Sequence, residues 1–205
     1  MYIENKSIKY KSKIIQKIIK NFINELPLEI KNILNKYETK ITITNIRSEL
    51  NYQSEYPGCY LMEFDNNKPI AHIYISEKNN ISDIKNILSH EIGHLLDQVL
   101  GCFYNNVNVS SENIRLYPLS LTHEEIRFFI KKESDFFSYR KESVTEIDFI
   151  LEKYDLQEEF ANCVAQVLTS KSKSKFPVTK NTIAEVFNEF NAKYFNVFKT
   201  PVVIL

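Results

Sequence analysis

The chain lacks a charge excess of either sign, because 26 Lys and Arg meet 26 Asp and Glu over 205 residues. No overall field draws it to nucleic acid or to an anionic membrane, so specific contacts must choose its partners. It has few cysteines. Cys59, Cys102 and Cys163 are far apart and odd in number, which excludes a CxxC metal pair and a complete disulfide framework and leaves buried thiols as the expectation. No apolar run is long enough to span a membrane. The apolar residues that follow the first lysines are interrupted by Lys17, Lys20, Asn21 and Asn24, so the core of a signal peptide is missing there. Internal repeats and low-complexity domains are also absent, with residues 170–175 read as a short polar linker.

What is present is ordinary for a globular protein, with 43% hydrophobic and 25% charged residues. The length fits one domain, 1–205, able to enclose an active-site cleft. Isoleucines at 14, 15, 18 and 19 place a helix over residues 8–22 with a lysine-rich solvated face, and a second helix is expected over 28–37. The period then changes. Ile41, Ile43 and Ile46 alternate with polar residues as in a strand, residues 59–64 form a second strand between turns at 56–58 and 65–69, and residues 70–76 (IAHIYIS) form a third.

Over residues 82–99, Ile84, Leu88, Ile92, Leu95 and Val99 recur every three or four positions, which predicts an amphipathic helix ended by Gly101. Residues 102–118 read as an irregular connection. Helices are expected again over 122–137, over 143–168 with a break near Tyr154, and over 181–197. The fold class is therefore α+β, organised as N-terminal helices and a small sheet (1–80), a central helix (81–101) and a helical C-terminal half (119–205).

The central helix carries His90-Glu91-Ile92-Gly93-His94. Four residues turn a helix by about 400°, so His90 and His94 lie one above the other and their imidazoles can chelate one cation. A catalytic Zn2+ typically takes three protein ligands and leaves a position for water. Glu91 projects beside the pair, where its carboxylate can take a proton from that water as general base. Such a five-residue match arises by chance about once in a few hundred chains of this size. Two further features favour a metal site: the histidines lie away from the apolar face, and Gly93 costs about 1 kcal/mol relative to alanine in a helix interior. That cost is understandable if another backbone comes close.

The third ligand is best sought in Leu156-Gln157-Glu158-Glu159-Phe160-Ala161-Asn162. At about 100° per residue, Leu156, Phe160, Val164 and Val167 form the apolar stripe and Glu158 falls on another side, next to the small residues Ala161 and Ala165. Glu159 points to a different quarter, so Glu158 is preferred as ligand, with Asn162 able to orient its carboxylate. Without the histidine motif, Glu158 would read as solvated helix surface. Oxyanion stabilisation commonly needs a side-chain donor as well. Tyr154, one turn before Glu158, is the candidate, and Tyr139 is the looser alternative. Asp97 lies three residues after His94, where it could hydrogen-bond near the site or face solvent. His72 and His123 are read as structural. The strand over 70–76 could leave an open edge along the cleft for an extended peptide.

These residues resemble a known family, the zincin-like catalytic domain of anthrax lethal factor and its smaller relatives, including the Pro-Pro endopeptidases. The resemblance spans residues 70–168 and rests on His90-Glu91-Ile92-Gly93-His94-Leu95-Leu96-Asp97, on Leu119-Ser120-Leu121-Thr122 leading into a helix, and on Glu158-Glu159-Phe160-Ala161-Asn162. It implies a zinc metallopeptidase fold, one catalytic zinc, a glutamate ligand at Glu158, a peptide or protein substrate, and a secreted or toxin-like setting. The missing signal-peptide core makes the cytoplasm the alternative expectation. Two positions depart from the family pattern: Leu151 stands where the catalytic tyrosine is usual, and Asn162 replaces the second acidic residue of the glutamate motif. The 64-position separation of His94 and Glu158 implies an insertion between them.

The expectation is thus a zinc metalloendopeptidase with His90, His94 and Glu158 as ligands, Glu91 as base and Tyr154 assisting, acting on peptide without nucleic acid or membrane. The competing expectation is a zincin-fold module that binds a partner and cleaves little or nothing. Cleavage preference and oligomeric state are left open.

Overall fold

A computed structural model of the chain describes residues 1–7, 9–133, 146–169, 185, 186 and 188, of which 129, 131–133, 146–152 and 154 by backbone alone. It divides into two compact units, residues 1–95 and 96–205.

The first unit starts with a short strand β1 (Tyr2–Asn5), followed by α1 (Tyr10–Glu25), α2 (Leu28–Lys36), β2 (Lys40–Thr44), the single turn α3 (Ile46–Glu49), β3 (Gly58–Asp65), β4 (Lys68–Ser76) and the beginning of α4 (Ile84–Tyr104). The strands form one sheet in the order β1-β2-β4-β3. β1, β2 and β4 run parallel, and β3 is antiparallel to β4 at the border. Parallel neighbours need long crossovers, and α1 with α2 supplies the one between β1 and β2. Leu26 is extended (φ −62°, ψ 149°) because Pro27 follows it, and this separates the two helices. Asn66 and Asn67, both with positive φ (49° and 65°), make the two-residue turn between β3 and β4 whose twist suits a hairpin.

Register places Ile41 beside Ile73 and Ile43 beside Ile75, so the four share one sheet face, and none is exposed. Ile15 and Ile19 of α1, Ile33 of α2, and Leu88 and Ile92 of α4 are equally buried. Each such side chain contributes about 1.5–3 kcal/mol by leaving water, so this aliphatic core is the main support of the sheet.

The second unit contains the end of α4, then α5 (Asn113–Leu116), α6 (Leu119–Thr122), α7 (Glu124–Glu133) and the long α8 (Glu146–Thr169), which packs on α6 and α7. The architecture is therefore mixed α and β, a small sheet followed by helices. No helix among the described residues is long and apolar enough to cross a membrane.

Several expectations change. The expected strand through Ile46 stops at Thr44, because the Asn45 side chain accepts the Ser48 N–H (3.3 Å) and starts α3 instead. β1 carries no alternating apolar signal and was not anticipated. The strand over 70–76 exists, but β4 is hydrogen-bonded on both sides, so the sheet border belongs to β3 and not to that strand. Gly101 does not end α4, which runs on to Tyr104. A Cβ on Gly101 would lie only 2.6 Å from the carbonyl carbon of Pro118, and closer still to backbone atoms of Tyr117 and Leu119. The glycine is there for a close backbone approach within the helix. Residues 102–118 are consequently only partly irregular.

Between α6 and α7, His123 is extended (φ −88°, ψ 106°), which splits the helix expected from residue 122. The break expected near Tyr154 is absent: α8 contains neither Gly nor Pro, and its apolar stripe of Leu156, Phe160 and Val164 stays buried. The linker over 170–175 lies outside the described residues, as does most of the helix expected over 181–197.

Candidate metal centre

On the first half of α4, Leu88, Ile92 and Leu95 are fully buried, which turns the opposite flank of the helix and its two histidines away from the core. His90 and His94 are half-buried. Their Nε2 atoms stand 3.1 Å apart, with the rings nearly perpendicular (87°). Two nitrogens each about 2.0–2.1 Å from one tetrahedral zinc would be about 3.3 Å apart, so the pair already has the spacing of two zinc ligands. One ligand atom from each of His90, His94 and Glu158 lies within 4.8 Å of the others. Glu158 is half-buried on α8. These three form the His/Cys/Asp/Glu group able to hold a metal ion among the described residues, and Glu159 is not part of it. Two imidazoles and one carboxylate are the donor set that suits zinc in a site with a further position open to water.

Glu91 is 6% exposed, an unusual degree of burial for a carboxylate. What abuts it is Gly58, at the start of β3. A Cβ there would sit 3.0 Å from Glu91 Cδ, nearer still to its Oε1, and 2.8 Å from Ile87 Cγ2. The missing side chain therefore makes the room that the Glu91 carboxylate occupies. Two residues along β3, Tyr60 stacks on the His94 ring with centroids 6.4 Å apart and planes 16° from parallel. Between them, Cys59 points to the other sheet face. Its half-buried thiol is held above the usual thiol range by burial, with the Glu91 carboxylate adding to the rise and a hydrogen-bond contact with Tyr52 Oη (3.7 Å) opposing it. β3 thus runs past both the general-base candidate and one metal-ligand candidate.

Asp97 is a buried group, not a surface one: it is 1% exposed. Its carboxylate accepts the Ser120 backbone N–H (2.7 Å) and the Ser120 hydroxyl (2.9 Å). The Leu119 N–H and the Gln157 side chain also favour its charged form. Burial pushes its pKa up to about 7 in spite of these favourable contacts.

The remaining candidates fall as follows. Tyr154 belongs to α8, but its side chain lies outside the described residues, and Tyr139 lies outside them altogether. Asn162 is exposed. His72 has structural surroundings, 3.2 Å from Glu63 and stacked on Tyr74, with its pKa lowered by burial. His123 contacts the Tyr104 ring, and its Nδ1 accepts the Ile126 N–H (3.4 Å) at the start of α7. Cys102 and Cys163 are buried thiols, whereas Cys59 is only half-buried. Sequence reasoning passed over Gly58 and Tyr60. Gly58 did carry a signal, since glycine opening a strand often marks a close approach, but the preceding Tyr56-Pro57 made it read as a turn.

Compared with protein-family models and with curated proteins, the chain matches none.

Proposed function

We propose that the chain is a zinc-dependent endopeptidase of the zincin type, similar in its site to the lethal factor catalytic domain. The single observation that carries the reading is the convergence of His90, His94 and Glu158, three donors from two helices, within 4.8 Å. Position along the chain does not bring them together by itself, since 64 positions separate His94 from Glu158. When bound, zinc lowers the pKa of water to about 7 and polarises a carbonyl.

The protein's own part begins with Glu91. Its buried carboxylate, with Gly58 leaving room for it, takes the proton of the attacking water and passes it to the leaving amine. Tyr154, one turn before Glu158, is the candidate donor to the oxyanion, with Tyr139 the alternative. An extended peptide adding beside border strand β3 would pass Glu91 and His94, and backbone hydrogen bonds would hold it in register. This placement moves the substrate from β4, where the sequence placed it, to β3.

The test is a peptide-library digest with metal analysis. The wild-type chain should contain one zinc per molecule and cleave, and Glu91→Gln should keep the zinc while losing about 10²–10⁴-fold in rate. Stoichiometric zinc with no cleavage of any peptide would overturn the peptidase reading.

A further inference from the structure

The face that β3 turns toward α4 is fixed at two points, by Gly58 against the Glu91 carboxylate and by Tyr60 against the His94 ring. Side chains alternate along a strand, so Met62 and Phe64 share that face, and Cys59, Leu61, Glu63 and Asp65 lie on the other. Tyr60, Met62 and Phe64 are half-buried. They form an apolar row that starts at a metal-ligand candidate and continues along the strand in steps of about 7 Å.

The same residues carry the outward backbone groups. Gly58 pairs with Ile75, which puts Pro57 opposite Ser76, and the Ser76 N–H donates to the Pro57 carbonyl (3.0 Å). Bonded and non-bonded pairs alternate in an antiparallel ladder, so Cys59, Leu61, Glu63 and Asp65 direct their N–H and C=O to β4. The Asp65 and Lys68 pair that closes the two-residue turn fits this phase. Tyr60, Met62 and Phe64 therefore turn their N–H and C=O to the sheet border and their side chains to the α4 face. A strand added at that border bonds to these residues, and its side chains beside them fall on the same face.

We propose that Met62 and Phe64 are specificity-determining residues, and that the substrate is a peptide with apolar side chains at alternate positions on one side of the scissile bond. This deepens the peptidase reading above and rests on it. With the scissile bond beside Tyr60 and His94, the peptide residue two positions away lies next to Met62, and the residue two further on lies next to Phe64. The residue between them points to the other face, where Leu61 and the exposed Glu63 are. Met62 stands opposite the small Ala71, and an unbranched thioether adapts its shape to what packs on it. In the other direction the row ends at Gly58, which has no side chain, and the Glu91 carboxylate fills the space. The selection is therefore one-sided.

The experiment compares peptides that differ at a single position, where leucine, serine or lysine stands in turn. Cleavage is followed as kcat/KM, and binding by fluorescence anisotropy on the metal-free Glu91→Gln chain, which needs no turnover. Two positions from the residue at the scissile bond, on one side only, leucine should exceed serine about 10–100-fold in kcat/KM, the range for an apolar pocket. Anisotropy should give the same order. Met62→Ala should bring the ratio at that position below about threefold, in a chain shown to be folded by thermal unfolding, and Met62→Leu should keep it. Met62→Glu should reverse the order in favour of lysine. Glu63→Lys, the neighbour on the other face, should leave it as in wild type.

An unchanged leucine preference in folded Met62→Ala, a preference that follows Glu63 instead, or binding without the same order would overturn the proposal. If Met62→Ala does not fold, Met62→Gln, of nearly the same shape, must lose the preference in its place. A zinc-containing wild type that cleaves no peptide refutes the peptidase reading and this proposal with it, whereas one that cleaves indifferently to Met62 refutes this proposal alone.

Discussion

The first unit is held together by aliphatic side chains on strands and helices, with Ile41, Ile43, Ile73 and Ile75 fully buried on one sheet face, whereas in the second a buried carboxylate joins two helices, Asp97 of α4 to Ser120 of α6. The two arrangements respond to different disturbances. A dry aliphatic core is sensitive to lost volume and indifferent to pH. A buried carboxylate held by hydrogen bonds is sensitive to protonation and to the identity of its partner. The glycines repeat the contrast. Gly58 is crowded by the side chains of Glu91 and Ile87, which can shift, and Gly101 is crowded by backbone, which cannot.

The largest effect expected from breaking this comparison is in the first unit. Ile73→Ala should cost about 2–5 kcal/mol, measured by urea unfolding, because the sheet cannot collapse around the cavity. A cost below about 1 kcal/mol would mean that the aliphatic face is not the main support.

Next comes the pH dependence of the metal-free chain. Asp97 has its pKa raised by burial to about 7, against about 3.9 for an unfolded aspartate. Between those values the folded chain keeps a proton that the unfolded chain has released. Its contribution to stability is therefore fully present below about pH 4 and is lost as pH rises to about 7, at up to about 1.4 kcal/mol per pH unit. Asp97→Asn should remove that slope. His72 in the first unit works in the other direction: burial lowers its pKa, so the unfolded chain is protonated first and stability falls as pH drops below about 6.5. Parallel pH profiles for wild type and Asp97→Asn would show that the carboxylate is not what distinguishes the second unit.

The smallest stability effects come from the glycines, and they sharpen the contrast most finely. Gly101→Ala should cost about 1–3 kcal/mol, because the backbone of residues 117–119 must retreat from α4. Gly58→Ala should cost less than Gly101→Ala, since only the side chains of Glu91 and Ile87 must give way to the methyl group, and by moving Glu91 it should lower the peptide hydrolysis proposed above. Equal losses of stability in both variants would contradict the distinction between side-chain and backbone crowding.

Much of this was legible beforehand. The 3.6-residue recurrence of Leu88, Ile92, Leu95 and Val99 specified both the existence of α4 and its buried face, and with them the flank that carries His90 and His94. The projection of α8 separated Glu158 from Glu159 for the same reason, since helical geometry is local. The signals that failed were those with two meanings. Gly101 reads as a helix end in sequence and is a contact point in space. Asp97 at three residues from His94 fits a solvated surface as well as a buried tie, and only the arrival of Ser120 decides between them.

By itself, the sequence determined the histidine pair, the glutamate beside it and the helix that displays them, because spacing within one helix is set by backbone hydrogen bonds among near neighbours. The tertiary structure alone decided that β3 and not β4 lies at a sheet border, that Gly58 makes room for Glu91, and that Asp97 is buried against Ser120. Each of these depends on which distant segment comes alongside. That is settled by the joint burial of many side chains, and no local periodicity records it.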